Sequence, residues 1–113
     1  MSGTKQLKDF VQSIINYHEN KDFEALSDHI LKTEIEAGTW FTQERFIEVC
    51  GAIEKEIGNI TSLEYISTIK RKSSYITLWK TTYSKSKDEV LWQIIFDTAS
   101  NKIKLMHINW EQI

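Results

Sequence analysis

The chain has 113 residues with 41% hydrophobic and 12% aromatic content, which predicts one globular domain over residues 1–113 and excludes a disordered segment. Its net charge is −2, and its basic residues form no dense stripe of the kind that nucleic-acid-binding domains carry, so a nucleic-acid partner is not expected. The single cysteine excludes an internal disulfide, and because no run approaches about 20 apolar residues, no membrane partner is expected either.

The apolar residues before Gly58 recur with helical spacing. The first set predicts an amphipathic helix from about Thr4 to Asn20, since its members fall on one stripe of a helix. The residues of this stripe are Leu7, Phe10, Val11, Ile14, Ile15 and His18. A second, shorter helix is predicted to start after Asp22, a residue type that caps helix N-termini, and to end near Lys32.

The third predicted helix has the clearest start in the chain. Thr42 is a helix N-cap type, and Phe41 and Phe46 occupy the two positions of a hydrophobic staple around it. Gly58 then supplies a residue that can end the helix in a left-handed conformation. The connection before this helix, Lys32–Trp40, alternates weakly and is predicted to be a short strand or hairpin, which would add a fifth short strand to the sheet.

After Gly58 the apolar residues recur every second position, which is typical of β-strands. Short polar turns separate the runs, so neighbouring strands are predicted to be antiparallel. The four predicted strands are Leu63–Arg71, Tyr75–Ser84, Glu89–Asp97 and Lys102–Trp110. Strands of about nine residues are longer than most, and a long sheet must twist and curl. The predicted fold class is therefore α+β, with three N-terminal helices and a curved antiparallel sheet of four long strands.

The middle of the predicted sheet is apolar on both faces. An antiparallel sheet with only one covered face would instead alternate apolar and polar residues. Three helices cannot easily cover both sides, so we expect a second copy of the chain to cover the other face in a two-fold dimer. The residues predicted for the dimer interface are Tyr75, Trp79, Tyr83, Leu91 and Ile95.

Several stretches in this order form a pattern known from other proteins. They are Phe41–Phe46 leading to Gly58, then Tyr65, Tyr75–Tyr83, Glu89–Ile94 and a terminal strand ending at Trp110. Over essentially its whole length the chain resembles the nuclear transport factor 2-like superfamily, and in particular its small bacterial members of unknown function. The resemblance implies a cystatin-like cone, in which helices pack on the concave face of the sheet, a pocket opens at the wide end and dimers form through the sheet. The catalytic residue sets of the superfamily's enzymes are not matched here, so none is carried over.

Two histidines are candidates for acid–base chemistry. His18 closes the apolar stripe of the first helix and could act as a general base in a pocket, although it could equally be a hydrogen-bonded helix-end residue. His107 shares a predicted strand face with Ile103 and Leu105, which would direct its ring into a cavity with Asp97 as an orienting carboxylate. The alternative is an edge-strand histidine, with Asp97 starting the turn that follows it.

Aromatic side chains could line a ligand pocket with these histidines. The predicted pocket residues are His18, Trp40, Tyr65, Trp92 and His107. Aromatic rings can bind an apolar ligand, but they can equally anchor a core or a dimer interface. The three histidines lack the spacing of metal ligands and Cys50 lies within a predicted core stripe, so neither a metal nor a cofactor is expected.

The sequence therefore favours a non-catalytic binding domain that dimerises through its sheet and binds a small, largely apolar molecule or another protein. The alternative is a small-molecule lyase or isomerase in which His18 or His107 transfers protons. A single-stranded nucleic-acid platform using Lys70–Lys72 is a third and weaker reading. The chain begins without an apolar signal segment, so we expect a cytoplasmic location.

Overall fold

The computed structural model describes residues 4–110. Within that range four helices precede four strands. They are α1 (Thr4–Glu19), α2 (Phe23–Ser27), α3 (Lys32–Ala37), α4 (Gln43–Ile57), β1 (Ile60–Lys70), β2 (Ser74–Tyr83), β3 (Val90–Asp97) and β4 (Ile103–Asn109). The strands form one open, curved antiparallel sheet in the order β1-β2-β3-β4. The α+β class and the predicted four-stranded meander are therefore confirmed.

The predicted start of α4 is also confirmed. The Thr42 side chain accepts a hydrogen bond from the backbone N–H of Arg45 at 3.2 Å, which satisfies one free donor of the first turn. The rings of Phe41 and Phe46, both buried, lie 6.0 Å apart and form the predicted staple. The helix ends at Gly58, whose N–H donates to the carbonyl groups of Ile53 and Glu54.

The segment between α1 and α4 differs from its prediction. Asp22 caps α2 as expected, but this helix ends at Ser27, and a separate helix α3 replaces the predicted strand or hairpin at Lys32–Trp40. Gly38 ends α3 in the left-handed conformation at φ 62°, where its N–H donates to the carbonyl of Glu34. A six-residue helix is too short for helical and alternating patterns to be told apart, which explains the wrong prediction.

One face of the sheet, called here the inner face, contacts α1 and contributes to the core. Trp79 on β2 lies opposite Trp92 on β3, and the two side chains are 0% and 1% exposed. The ring of Trp92 contacts His18 of α1 at a centroid distance of 5.3 Å, and Phe96 contacts Phe10 of α1 at 5.9 Å. Because alternate residues of a strand share a face, these contacts assign the inner face along β2 and β3.

The opposite, outer face carries an apolar row that crosses all four strands. Ile69 lies opposite Ile76, Ile76 opposite Ile95, and Ile95 opposite Leu105. Residues directly opposite on neighbouring strands share a face, so these four side chains are adjacent; we call them the outer row. Ile69 and Leu105, at the two ends of the row, are 43% and 38% exposed.

The register divides the predicted interface residues between the two faces. Tyr75, Trp79 and Tyr83 lie on the inner face, where Trp79 and Tyr83 are buried and Tyr75 stacks on Phe96 at 5.0 Å. Leu91 and Ile95 lie on the outer face. A partner that covers the outer face would therefore contact Leu91 and Ile95 and would not reach Trp79 or Tyr83.

Candidate functional site

A cavity of about 350 Å³ lies between β4, the first half of α4 and the connection before α4. Eight of its eleven lining residues are apolar, and none is Asp or Glu. The apolar lining residues include Trp40, Phe41, Phe46, Met106, Ile108 and Trp110. Its volume is at the small end of the range of ligand pockets, and mostly apolar walls with a few polar groups are typical of such pockets.

The strand and helix periods explain why these side chains meet. Met106 and Ile108 lie opposite Ile94 and Trp92, so they share the inner face, and Trp110 follows in the same alternation. On α4, Phe46 and Val49 are three residues apart and lie on one side of the helix. The cavity is thus bounded by the inner face of the edge strand β4 and by the apolar side of α4.

Trp40 is held in place by the short helix before it. Its indole N–H donates a hydrogen bond of 3.0 Å to the side-chain carboxylate of Glu34 on α3. Its ring also contacts Phe41 at a centroid distance of 5.4 Å. The helix α3, which the sequence patterns did not predict, therefore fixes one wall of the cavity.

His18 is a buried group of the cavity wall. It is 7% exposed and packs edge-on against the rings of Phe46 and Trp92, both at 5.3 Å. Burial lowers the pKa of His18 to about 4, because the apolar surroundings disfavour the charged imidazolium. The ring is therefore neutral near pH 6.5, the pKa of an unperturbed histidine.

Cys50 is the polar neighbour of His18. Its sulfur lies 3.6 Å from each ring nitrogen, and its S–H donates to the backbone carbonyl of His18 at 3.3 Å. Burial raises the pKa of the Cys50 thiol to about 12, with a smaller opposing effect from Lys21. A thiol with this pKa is not a thiolate nucleophile at neutral pH, so this pair lacks the activated sulfur of a cysteine–histidine enzyme.

The other predicted catalytic residues are not brought together. His107 is exposed and lies opposite Gln93, four residues before Asp97 on β3, which corresponds to roughly 13 Å along the strand. The side chain of Asp97 accepts hydrogen bonds from the backbone N–H and the hydroxyl of Ser100 at 3.0 and 2.8 Å. These bonds lower the pKa of Asp97 and make it the residue that starts the turn before β4.

Three of the five predicted pocket residues border the cavity and two lie outside it. His18, Trp40 and His107 contribute to the lining. Tyr65 instead packs against Trp79 at 5.3 Å, and Trp92 lies against His18 on the core side with its indole N–H donating to the Tyr83 hydroxyl at 2.9 Å.

Sequence reasoning missed eight of the eleven lining residues, which are Phe41, Arg45, Phe46, Val49, Leu105, Met106, Ile108 and Trp110. Val49 lies at helical spacing from Phe46 and Ile53, and an apolar residue that lines a cavity has the same spacing as one that fills a core. The alternation of Met106 and Ile108 was the one signal that could have found this wall, because both residues point away from His107 along β4.

Within residues 4–110 no group of three or more His, Cys, Asp or Glu side chains is arranged to hold a metal ion. In the same part of the chain, none of the helices has the length and apolar character needed to cross a membrane. Comparison with protein-family models, with curated proteins and with solved structures found no match to this chain.

Proposed function

We propose that this chain is a non-catalytic binding domain that takes a small, largely apolar molecule into the cavity between α4 and β4. The observation that carries the proposal is the chemistry of the wall: of the eleven described residues that line it, eight are apolar and none is Asp or Glu. Binding such a molecule would remove its apolar surface and that of Trp40, Phe46 and Met106 from water, which is the main favourable term in apolar recognition.

The resemblance to the nuclear transport factor 2-like superfamily is part of this proposal. In that arrangement the helices would pack on the concave face of the curved sheet and the cavity would be the pocket of the cone. The inner-face contacts of α1 with Trp92 and Phe96 support this arrangement.

The lyase or isomerase alternative has less support. A histidine that acts as general base is usually oriented by a carboxylate, and it works best with a pKa near the working pH. Among the described residues no Asp or Glu lines the cavity, and the pKa of His18 is lowered to about 4. Catalysis by His107 with Asp97 would require contact between the two side chains, but the register of β3 and β4 keeps them apart.

Filling the cavity is expected to block binding. In the variant Val49→Phe the larger ring would occupy space that the ligand needs, and we expect the affinity for octanol to fall about tenfold or more. The measurement is a titration followed by tryptophan fluorescence, since Trp40 and Trp110 both border the cavity.

The matched control for this prediction is Ile47→Phe. Ile47 lies on the same helix, two residues away, but is 42% exposed and does not contribute to the cavity wall. This control should bind octanol as the wild type does. Equal affinities of the two variants, or no saturable signal with the wild type, would count against a ligand cavity at this position.

The second part of the proposal is a two-fold dimer formed through the outer face. The outer row places four apolar side chains next to one another on a face that α1 does not contact, and its two ends are more than one-third exposed. A second copy of the same surface would cover this row by self-complementary contact.

Placing a charge in the outer row is expected to separate the dimer. We expect wild-type chain at micromolar concentration to show twice the mass of one chain in size-exclusion chromatography with light scattering. Ile95→Lys should elute as a monomer, because a buried unpaired charge is costly at an interface. Ile47→Lys, on the exposed side of α4, is the control and should remain dimeric. A monomeric wild type over the whole concentration range contradicts this part of the proposal.

A further inference from the structure

We infer that the ligand of this cavity is an apolar monoanion, whose carboxylate is bound by Arg45 at the cavity opening while its hydrocarbon part enters the apolar interior. This inference rests on the proposed binding function and specifies the chemical class of the ligand. It rests on the position of Arg45 and on the absence of an ion-pair partner for its guanidinium among the described residues.

Among the described residues that line the cavity, Arg45 is the only formally charged one. Three lysines elsewhere have carboxylate partners: Lys21 pairs with Glu54 at 3.6 Å, Lys32 with Glu36 at 3.9 Å and Lys80 with Glu64 at 3.0 Å. Among the described residues, by contrast, the guanidinium of Arg45 has no ion-pair or hydrogen-bond partner. Within residues 4–110 its charge is therefore not neutralised by a carboxylate, which leaves it to bind an anion.

The carboxylates closest in sequence do not compete for this position. Glu34 accepts the hydrogen bond of the Trp40 indole. Glu44 and Glu48, the neighbours of Arg45 on α4, are exposed and do not contribute to the cavity wall. A guanidinium group presents two parallel N–H donors that match the two oxygens of a carboxylate, which makes arginine a strong and oriented partner for this group.

The remainder of the wall favours a hydrocarbon over a second polar group. Phe46, Val49, Met106 and Ile108 are apolar. His18, the buried polar residue of the wall, already has Cys50 within 3.6 Å of its ring nitrogens and does not carry a charge near neutral pH. His107 is exposed, and its position on β4 alternates with Met106 and Ile108, so its side chain points away from these two wall residues. A ligand with one charged end and one apolar end fits this distribution.

Octanoate and octanol provide a matched pair of probes, because they share a hydrocarbon chain and differ in the charged end. Each is titrated into the wild type and into two variants, and binding is followed by tryptophan fluorescence and by NMR. Arg45→Met removes the charge and keeps the apolar stem. Lys55→Met is the control, since Lys55 is an exposed cation in the last turn of the same helix and lies outside the cavity wall. Thermal unfolding of each variant checks that it is folded.

The inference predicts that the wild type binds octanoate more tightly than octanol. Arg45→Met should lose about tenfold or more in octanoate affinity and keep its octanol affinity, since a charge-assisted hydrogen-bonded pair is removed. Lys55→Met should match the wild type for both probes. Added salt should weaken octanoate binding and leave octanol binding unchanged.

Two other outcomes separate this inference from the function on which it rests. If the wild type binds octanol and octanoate equally and Arg45→Met changes neither affinity, the anion inference is wrong and the apolar binding function stands. If neither probe binds the wild type, both proposals are overturned.

Discussion

Acidification from pH 6.5 to about pH 4 is expected to remove about 3 kcal/mol from the free energy of unfolding through His18 alone. The pKa of this histidine is 6.5 in the unfolded chain and about 4 in the folded chain. Between these two values the unfolded state binds a proton that the folded state does not, so protonation favours unfolding. The stabilisation is complete above pH 6.5 and is lost progressively as the pH falls through about 4.

The variant His18→Met tests this prediction, because it replaces the titrating ring by an apolar side chain. Urea unfolding of both proteins is measured above pH 6.5 and near pH 4. Carboxylates that titrate in this range, and His29, whose pKa is also lowered mainly by burial, contribute equally to both proteins. The pH dependence of the free energy of unfolding therefore differs between the two proteins only by the contribution of His18. Parallel curves for the wild type and His18→Met would show that the ring is not held neutral by burial.

Replacing Gly58 by alanine is expected to cost about 3 kcal/mol of stability. Gly58 has φ 85° and ψ −142°, a backbone conformation that residues with a Cβ rarely adopt. An added Cβ would lie 2.2 Å from the hydroxyl oxygen of Ser84 and 3.2 Å from the backbone nitrogen of Lys85. Rotation of Ser84 could relieve the first contact, but that hydroxyl accepts a hydrogen bond from the backbone N–H of Asn59, which would then be lost. Urea or thermal unfolding measures the change.

Gly51→Ala is the matched control within the same region. Gly51 lies inside α4, and an added Cβ there would have no atom within 4 Å. Alanine has a higher helix propensity than glycine, so this variant should gain about 0.5–1 kcal/mol. We therefore expect the free energy of unfolding to fall in Gly58→Ala and to rise in Gly51→Ala. If Gly58→Ala were as stable as the wild type, the junction between α4 and β1 would not be as tightly packed as the structure describes.

Most of the fold could be predicted because its local signals agree with one another. Thr42, Phe41 and Phe46 set the start of α4 through capping and packing over a few residues, and these interactions depend little on the remainder of the chain. The change of period at Gly58 separated helices from strands for the same reason. The helix α3 was missed because its six residues span too few turns to establish a period.

The candidate site was less predictable because it depends on register. The strand β3 pairs with β4 through an irregularity beside Phe96, and this shift puts Ile103 on the inner face and Leu105 on the outer face. Strict alternation along the strand, without this irregularity, predicts that Ile103 and Leu105 share one face with His107. A shift of one residue reverses the face of every following side chain, and alternation alone does not reveal where it occurs.

The interface prediction failed to separate the two faces for a related reason. Trp79 and Leu91 belong to adjacent strands, and only the pairing of Trp79 with Trp92 shows that Leu91 points to the opposite side. Arg45 could not be recognised as a cavity residue either, because an exposed arginine in the first turn of a helix usually faces solvent. Its place beside β4 follows from tertiary contacts between elements that are distant in sequence.

The most direct test of the binding proposal is a methyl NMR titration of the wild-type chain with octanol. The proposal predicts saturable shifts of the Val49, Met106 and Ile108 methyl signals, because all three residues line the cavity, while Ile76 and Ile95 on the outer face remain unchanged. Shifts confined to Ile76 and Ile95, or the absence of saturable shifts at any of these methyl groups, would contradict it.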